Sequence, residues 1–92
     1  MVTFELPNAL TPFARGLGAV QVDVSHGTVR EALSQLGTTH PGVVERVLTE
    51  QGDVREHVNV FVGEENIRFM EGLATPVSEG EVITIVPAVS GG

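Results

Sequence analysis

The residues best placed to do chemistry are the last two, Gly91 and Gly92. They follow the apolar run Val82-Ile83-Thr84-Ile85-Val86 and the short segment Pro87-Ala88-Val89-Ser90. A carboxylate carried on two glycines has no side chain beside it, so it can pass between close walls into another protein's active site. At neutral pH a terminal carboxylate is an anion and a poor electrophile, and it reacts only after activation. Pro87 lacks a backbone N–H, which predicts that strand pairing ends near it and releases residues 88–92. Fully extended, those residues reach about 17 Å, far enough to probe a buried pocket. Two glycines also lose more conformational entropy on ordering than other residues, which disfavours them in a tail that docks only on its own domain. The predicted site is therefore Gly92 as the reacting group, with Gly91, Ser90, Val89, Ala88 and Pro87 as the arm a partner must hold.

No motif elsewhere in the chain predicts catalysis. There is no phosphate loop, no histidine pair at helical spacing and no nucleophile elbow around a serine. Gly16-Leu17-Gly18 is too short for dinucleotide binding and reads as a flexible turn. His26, His40 and His57 are far apart and flank turns, so they read as surface histidines rather than a metal set. The absence of cysteine excludes a disulfide framework, a thiolate zinc site and a cysteine nucleophile. A formal charge of -7 disfavours nucleic-acid and anionic-membrane partners, whose recognition depends on Lys and Arg neutralising phosphate. Basic protein partners remain compatible, and excess acid also keeps a small domain soluble. Glu64 and Glu65 read as solvated charge at a hairpin tip. The N-terminal residues lack the basic and apolar regions of a signal peptide, and no apolar run approaches the ~18 residues of a spanning helix, so a cytosolic location is expected.

The elements that must position the arm are legible from periodicity. Val2, Phe4 and Leu6 alternate with polar residues, as do Val20, Val22 and Val24, which predicts two half-buried strands forming a hairpin around a loop over 10–18. Ser25-His26-Gly27 reads as a turn, and Thr28 with Glu31 forms a capping box opening a helix with the buried stripe Val29, Ala32, Leu33 and Leu36. Gly37 is expected to end that helix, and Pro41 to Leu48 to form a second, short one. Val58, Val60 and Val62 predict a third strand, Ile67-Arg68-Phe69 a fourth, and residues 72–76 an irregular stretch. The last strand, Val82 to Val86, is apolar on both faces and suits a central position covered on both sides. The layout is α+β: one mixed sheet of about five strands with one main helix on one face. If the first and last strands are neighbours, the intervening helix makes them parallel. Phe61 points to the sheet face opposite the helix, where it and part of the last strand form an apolar patch beside the tail, either a partner-docking surface or one covered by a loop.

These residues resemble the β-grasp, ubiquitin-like sulfur carriers. The likeness spans nearly the whole chain and is closest from Val58 onward, through Val58-Asn59-Val60-Phe61-Val62, Ile67-Arg68-Phe69, Gly72-Leu73-Ala74-Thr75 and Gly80-Glu81 to the terminal strand. The tail Val86 to Gly92 is similar to that of the carriers dedicated to cysteine biosynthesis, then to the molybdopterin synthase small subunit and, more distantly, to the thiamine sulfur carrier. The single Pro87 after Val86 departs from the aromatic and double proline common in the molybdopterin branch. The resemblance implies a single β-grasp domain over 1–92 with a flexible tail over 87–92. It further implies that an E1-like enzyme adenylates Gly92 with ATP and a sulfur donor displaces AMP to leave a thiocarboxylate. The sulfur would attack an electrophile held by a partner, in the cysteine branch one that a pyridoxal-phosphate-dependent synthase makes from an activated serine. A metal-dependent peptidase would release the product. On this reading the chain is a co-substrate, not an enzyme, with no bound cofactor, and Phe61 and residues 87–91 meet the partners. The alternative of another class is a ubiquitin-like modifier conjugated through Gly92 to lysine amines.

Overall fold

In the computed structural model, which describes residues 1–87, the alternating valines build a five-stranded mixed sheet. The elements in chain order are β1 (Val2–Glu5), a 3-10 stretch (Asn8–Ala14), β2 (Ala19–Val22), β3 (His26–Thr28), α1 (Val29–Thr39), α2 (Pro41–Val47), β4 (Val58–Val62), β5 (Glu65–Asn66), 3-10 turns at Ile67–Phe69 and Gly72–Ala74, β6 (Pro76–Ser78) and β7 (Val82–Pro87). Sheet order is β2-β1-β7-β4-β5, with β3 and β6 forming a small separate ladder. β1 and β7 are neighbours and run parallel, Phe4 opposite Ile83, as the crossover through α1 requires. Every other pair is antiparallel.

Period-two patterning sends Val2, Phe4, Val20, Val22, Val58, Val60, Val62, Ile83 and Ile85 to one face, where they are buried against Val29, Ala32, Leu33 and Leu36 of α1. Val43 and Val47 of α2 complete that core. Burying each large aliphatic or aromatic side chain contributes about 1.5–3 kcal/mol, so Phe4, Leu33, Leu36 and Ile83, all essentially solvent-free, hold helix to sheet. α1 begins where expected: Thr28 is extended and its Oγ1 accepts from the Glu31 backbone N–H at 3.2 Å. Only half of the capping box forms, because the Glu31 carboxylate accepts from the Thr28 hydroxyl at 3.4 Å.

Several local expectations are corrected. α1 runs through Gly37 to Thr39 and stops at His40 (φ -132, ψ 65), because the ring of Pro41 excludes the preceding residue from the helical region. His40 is buried between the helices, unlike the surface histidine expected. The loop over 10–18 contains the 3-10 stretch, closed by Arg15 in the left-handed region (φ 57). The fourth strand is the pair Glu65–Asn66, and Ile67–Phe69 is a 3-10 turn, because the Asn66 side chain accepts from Arg68 N–H at 2.9 Å and bends the chain away from the ladder. His26 and Gly27 of the expected turn belong to β3, and of the stretch expected to be irregular over 72–76, Gly72–Ala74 forms a 3-10 turn and Pro76 opens β6; β3 and β6 form a short antiparallel ladder, Gly27 opposite Val77. β7 lies between β1 and β4, so it is central, but it is covered on one face only: Val82, Thr84 and Val86 point to the open side. Among the described residues no helix is long and apolar enough to cross a membrane.

The cap gives a direct test. Thr28→Ala should lower stability by about 1 kcal/mol in urea denaturation, while Thr28→Ser should retain most of it.

Candidate functional site

Of the predicted site residues, Ala88, Val89, Ser90, Gly91 and Gly92 lie outside the described residues, and Pro87 and Phe61 lie within them. Pro87 is exposed and is the last residue of β7, opposite Val58 of β4. The base of the arm is therefore anchored to a central strand held by ladders on both sides.

Two surface features flank that base on opposite sides of the sheet. On the open face, Phe61 is half-buried and sits opposite Thr84 of β7 on one side and Asn66 of β5 on the other. Val86 lies opposite Asn59 and is 37% exposed. Phe61 and Val86 are thus diagonal neighbours, ~7–8 Å apart and within reach of an aromatic ring. Phe61, Val82 and Val86 place apolar side chains together on the open face, on and beside the strand that ends at Pro87.

On the core side, a groove of about 360 Å³ opens beside Pro87, with Pro7, Leu10, Val58 and Ile85 among its apolar walls and Arg46, Arg55 and His57 at its polar rim. Each wall comes from a different element: the 3-10 stretch after β1, the last turn of α2, the segment leading into β4, and β7 itself. The arginines are held by backbone. Arg46 lies 3.5 Å above the Phe13 ring and donates to the Gly42 carbonyl at 3.0 Å. Arg55 donates through Nε and Nη2 to the Glu45 carbonyl at 3.2 and 2.9 Å. That carbonyl belongs to the last turn of α2, where it lacks an intrahelical partner and where a cation complements the helix end. Two of the chain's five arginines therefore line a groove with Pro87 in a protein of net charge -7. The groove can take an apolar segment bearing an anionic group.

Sequence reading missed this groove. Residues 7–10, 46–58 and 85–87 carry no shared spacing or motif, and only the fold brings them together. His57, which reads in sequence as a surface residue, lies at its rim, apart from His26 and His40. Among the described residues no three His, Cys, Asp or Glu side chains converge on a metal-sized site. Phe69, 84% exposed, projects from the turn after β5 rather than from a strand.

Residues 6–92 match the ThiS family. The chain is 36% identical to sulfur carrier protein CysO of Mycobacterium tuberculosis over 93 aligned positions, covering 99% of this chain and 98% of the relative. Among solved structures it is similar to a chain of the Amycolatopsis orientalis BexX/CysO complex, with a TM-score of 0.90, 33% identity and full coverage of both chains. It is also similar to SAMP1 of Haloferax volcanii, with a TM-score of 0.82, 32% identity and coverage of 99% of this chain and 98% of the other.

Because Arg55 satisfies the end of α2, Arg55→Met should cost about 1 kcal/mol in urea denaturation, with far-UV circular dichroism showing a retained fold.

Proposed function

Given that the chain belongs to the ThiS family of ubiquitin-like β-grasp sulfur carriers, we propose that Gly92 is its working group, adenylated and then converted to a thiocarboxylate that donates sulfur. The observation that carries this reading is that the family match runs through Gly91-Gly92 itself. Displacement of AMP from the acyl-adenylate by a sulfur donor leaves a soft nucleophile on the arm. No side chain of the carrier acts as acid, base or ligand; it is a co-substrate, and an E1-like enzyme supplies the ATP chemistry. Likeness to mycobacterial CysO favours cysteine as the product, with a pyridoxal-phosphate-dependent synthase as acceptor and a metal-dependent peptidase releasing the product. The relative crystallised with BexX supports a carrier that works docked on a protein partner. On this chain the docking surface is the Phe61–Val86 patch, with residues 87–91 entering the partner's active site. The cytosol, where ATP is available, is the compartment this chemistry needs.

A second reading has its own observation. SAMP1 of Haloferax volcanii is a small archaeal modifier, and its similarity over nearly the whole chain favours transfer of activated Gly92 to a lysine amine of another protein.

Intact mass separates the two. With an E1-like enzyme, ATP and a sulfide source, the carrier reading expects one oxygen of the C-terminal peptide to be replaced by sulfur, whereas the modifier reading expects conjugates of higher mass. No change with any of several activating enzymes counts against both. Deletion of Gly92 should abolish activation and leave the urea midpoint unchanged; a cooperative loss of folding would contradict an arm that lies outside the core. Phe61→Asp should weaken binding to the activating enzyme ~10-fold or more in calorimetric titration without unfolding the domain, because it places a charge in a patch that must desolvate.

A further inference from the structure

All five basic residues of the chain are arginines, and its 92 residues include no lysine. Guanidinium stays protonated at neutral pH and offers no lone pair to an acyl group, so the amines are reduced to the α-amino group of Met1. That group is ion-paired with Glu79. Its position follows from the parallel pairing of β1 and β7: Thr3 lies opposite Val82, and Gly80 N–H donates to the Met1 carbonyl at 2.9 Å. Met1 therefore stands at the end of the sheet where β7 begins, and the arm leaves from the other end. Five residue steps from Pro87 back to Val82, and two more from Thr3 to Met1, place the amine ~23 Å from the base of the arm at ~3.3 Å per step. Residues 88–92 span at most about 17 Å.

We propose that the chain offers no amine acceptor within reach of its own activated terminus. An activated ester at Gly92 meets no lysine, because there is none, and cannot reach Met1. This rests on the reading of Gly92 as an activated carboxylate. The avoided step is attack by an amine nitrogen on the Gly92 carbonyl carbon. An amide C–N bond would form, the bond to the AMP oxygen or thiol sulfur would break, the leaving group would take the electron pair, and the nitrogen would lose its proton to solvent. The amide would be a dead end for sulfur transfer. A tethered amine within reach has an effective concentration in the millimolar range or above, which sulfur donors would have to outcompete. Arg46 and Arg55 put positive charge at the groove beside Pro87 without putting an amine there, and an acyl group taken by the His57 imidazole in the same groove would stay labile to water or sulfide. Under the modifier reading, the same composition prevents copies from growing into chains through side-chain amines.

The 92-residue protein prepared with a Gly92 thioester by intein thiolysis tests this without an activating enzyme. Ala9 is exposed and lines the groove with Pro87, so Ala9→Lys places an amine within reach. Asp23 follows Val22, which lies opposite Val2, so Asp23→Lys places one level with Met1, out of reach. On incubation at low protein concentration and mildly basic pH, Ala9→Lys should accumulate a species lighter than the free acid by one water, with Gly92 joined to the new side chain, at least ~10-fold faster than wild type or Asp23→Lys. Arg55→Lys, on the same groove, gives a second reading should Ala9→Lys disturb the 3-10 stretch. Formation of a Gly92–Met1 linkage in wild type at the rate of Ala9→Lys, or no acceleration in either groove variant, overturns the proposal. Failure of an activating enzyme to adenylate Gly92 would overturn the preceding reading and leave this result standing on its own.

Discussion

The parallel pairing of β1 with β7 is the constraint from which the rest of the molecule follows. It joins the two ends of the described chain at the centre of the sheet, Phe4 against Ile83, and both side chains are solvent-free. A parallel pair needs a crossover, and α1 supplies it while covering the apolar face of the same strands. Because the contact closes almost the full length of the chain, its loop-closure cost is met only when helix and sheet pack together. Fixing β7 between two ladders holds Pro87 rigidly, and making it parallel to β1 puts Met1 and Pro87 at opposite ends of the sheet.

With one helix layer, the sheet has one face for stability and one for solvent or a partner. The core face is continuous, from Val20 and Val22 across Phe4 and Ile83 to Val60. The open face carries Thr3, Gln21 and Thr84 among its polar residues, with Val82, Val86 and Phe61 as an apolar group on β7 and β4. The patch lies on the strand that continues into the arm. On the proposed reading, a partner docked there would hold Gly92 in a defined direction and lower the entropy lost on entering an active site.

Charge follows a similar division. Acidic residues dominate the surface, yet Arg46 and Arg55 are tied to α2 and Phe13 beside the base of the arm. Arg46 bonds the Gly42 carbonyl in the first turn of α2 and Arg55 the Glu45 carbonyl in its last turn, so both stabilise a seven-residue helix too short to be stable alone. The same side chains make the groove wall positive. Arg55 thus carries both the capping of α2 and part of the local charge.

Much of the fold is legible in the amino-acid order, and the reasons differ by element. Val2 and Phe4, the run Val58 to Val62 and the stripe Val29 to Leu36 carry periods of two and 3.6 that only a strand and a helix satisfy, and Gly91-Gly92 after a terminal strand marks the end of the chain. Departures fall where a local signal competes with a neighbour: Pro41 overrules Gly37 as the stop of α1, and the Asn66 side chain draws Ile67–Phe69 out of the sheet. β3 and β6 are too short and too polar to show alternation. Sequence by itself therefore determined the layers, the central last strand and the chemical nature of the terminus, since these depend on residues close together in the chain. Tertiary structure alone decided which face of β7 stays open, the groove of Leu10, Arg46, Arg55 and Ile85, and the distance from Met1 to the arm, because each is a contact or separation between segments that no local spacing encodes.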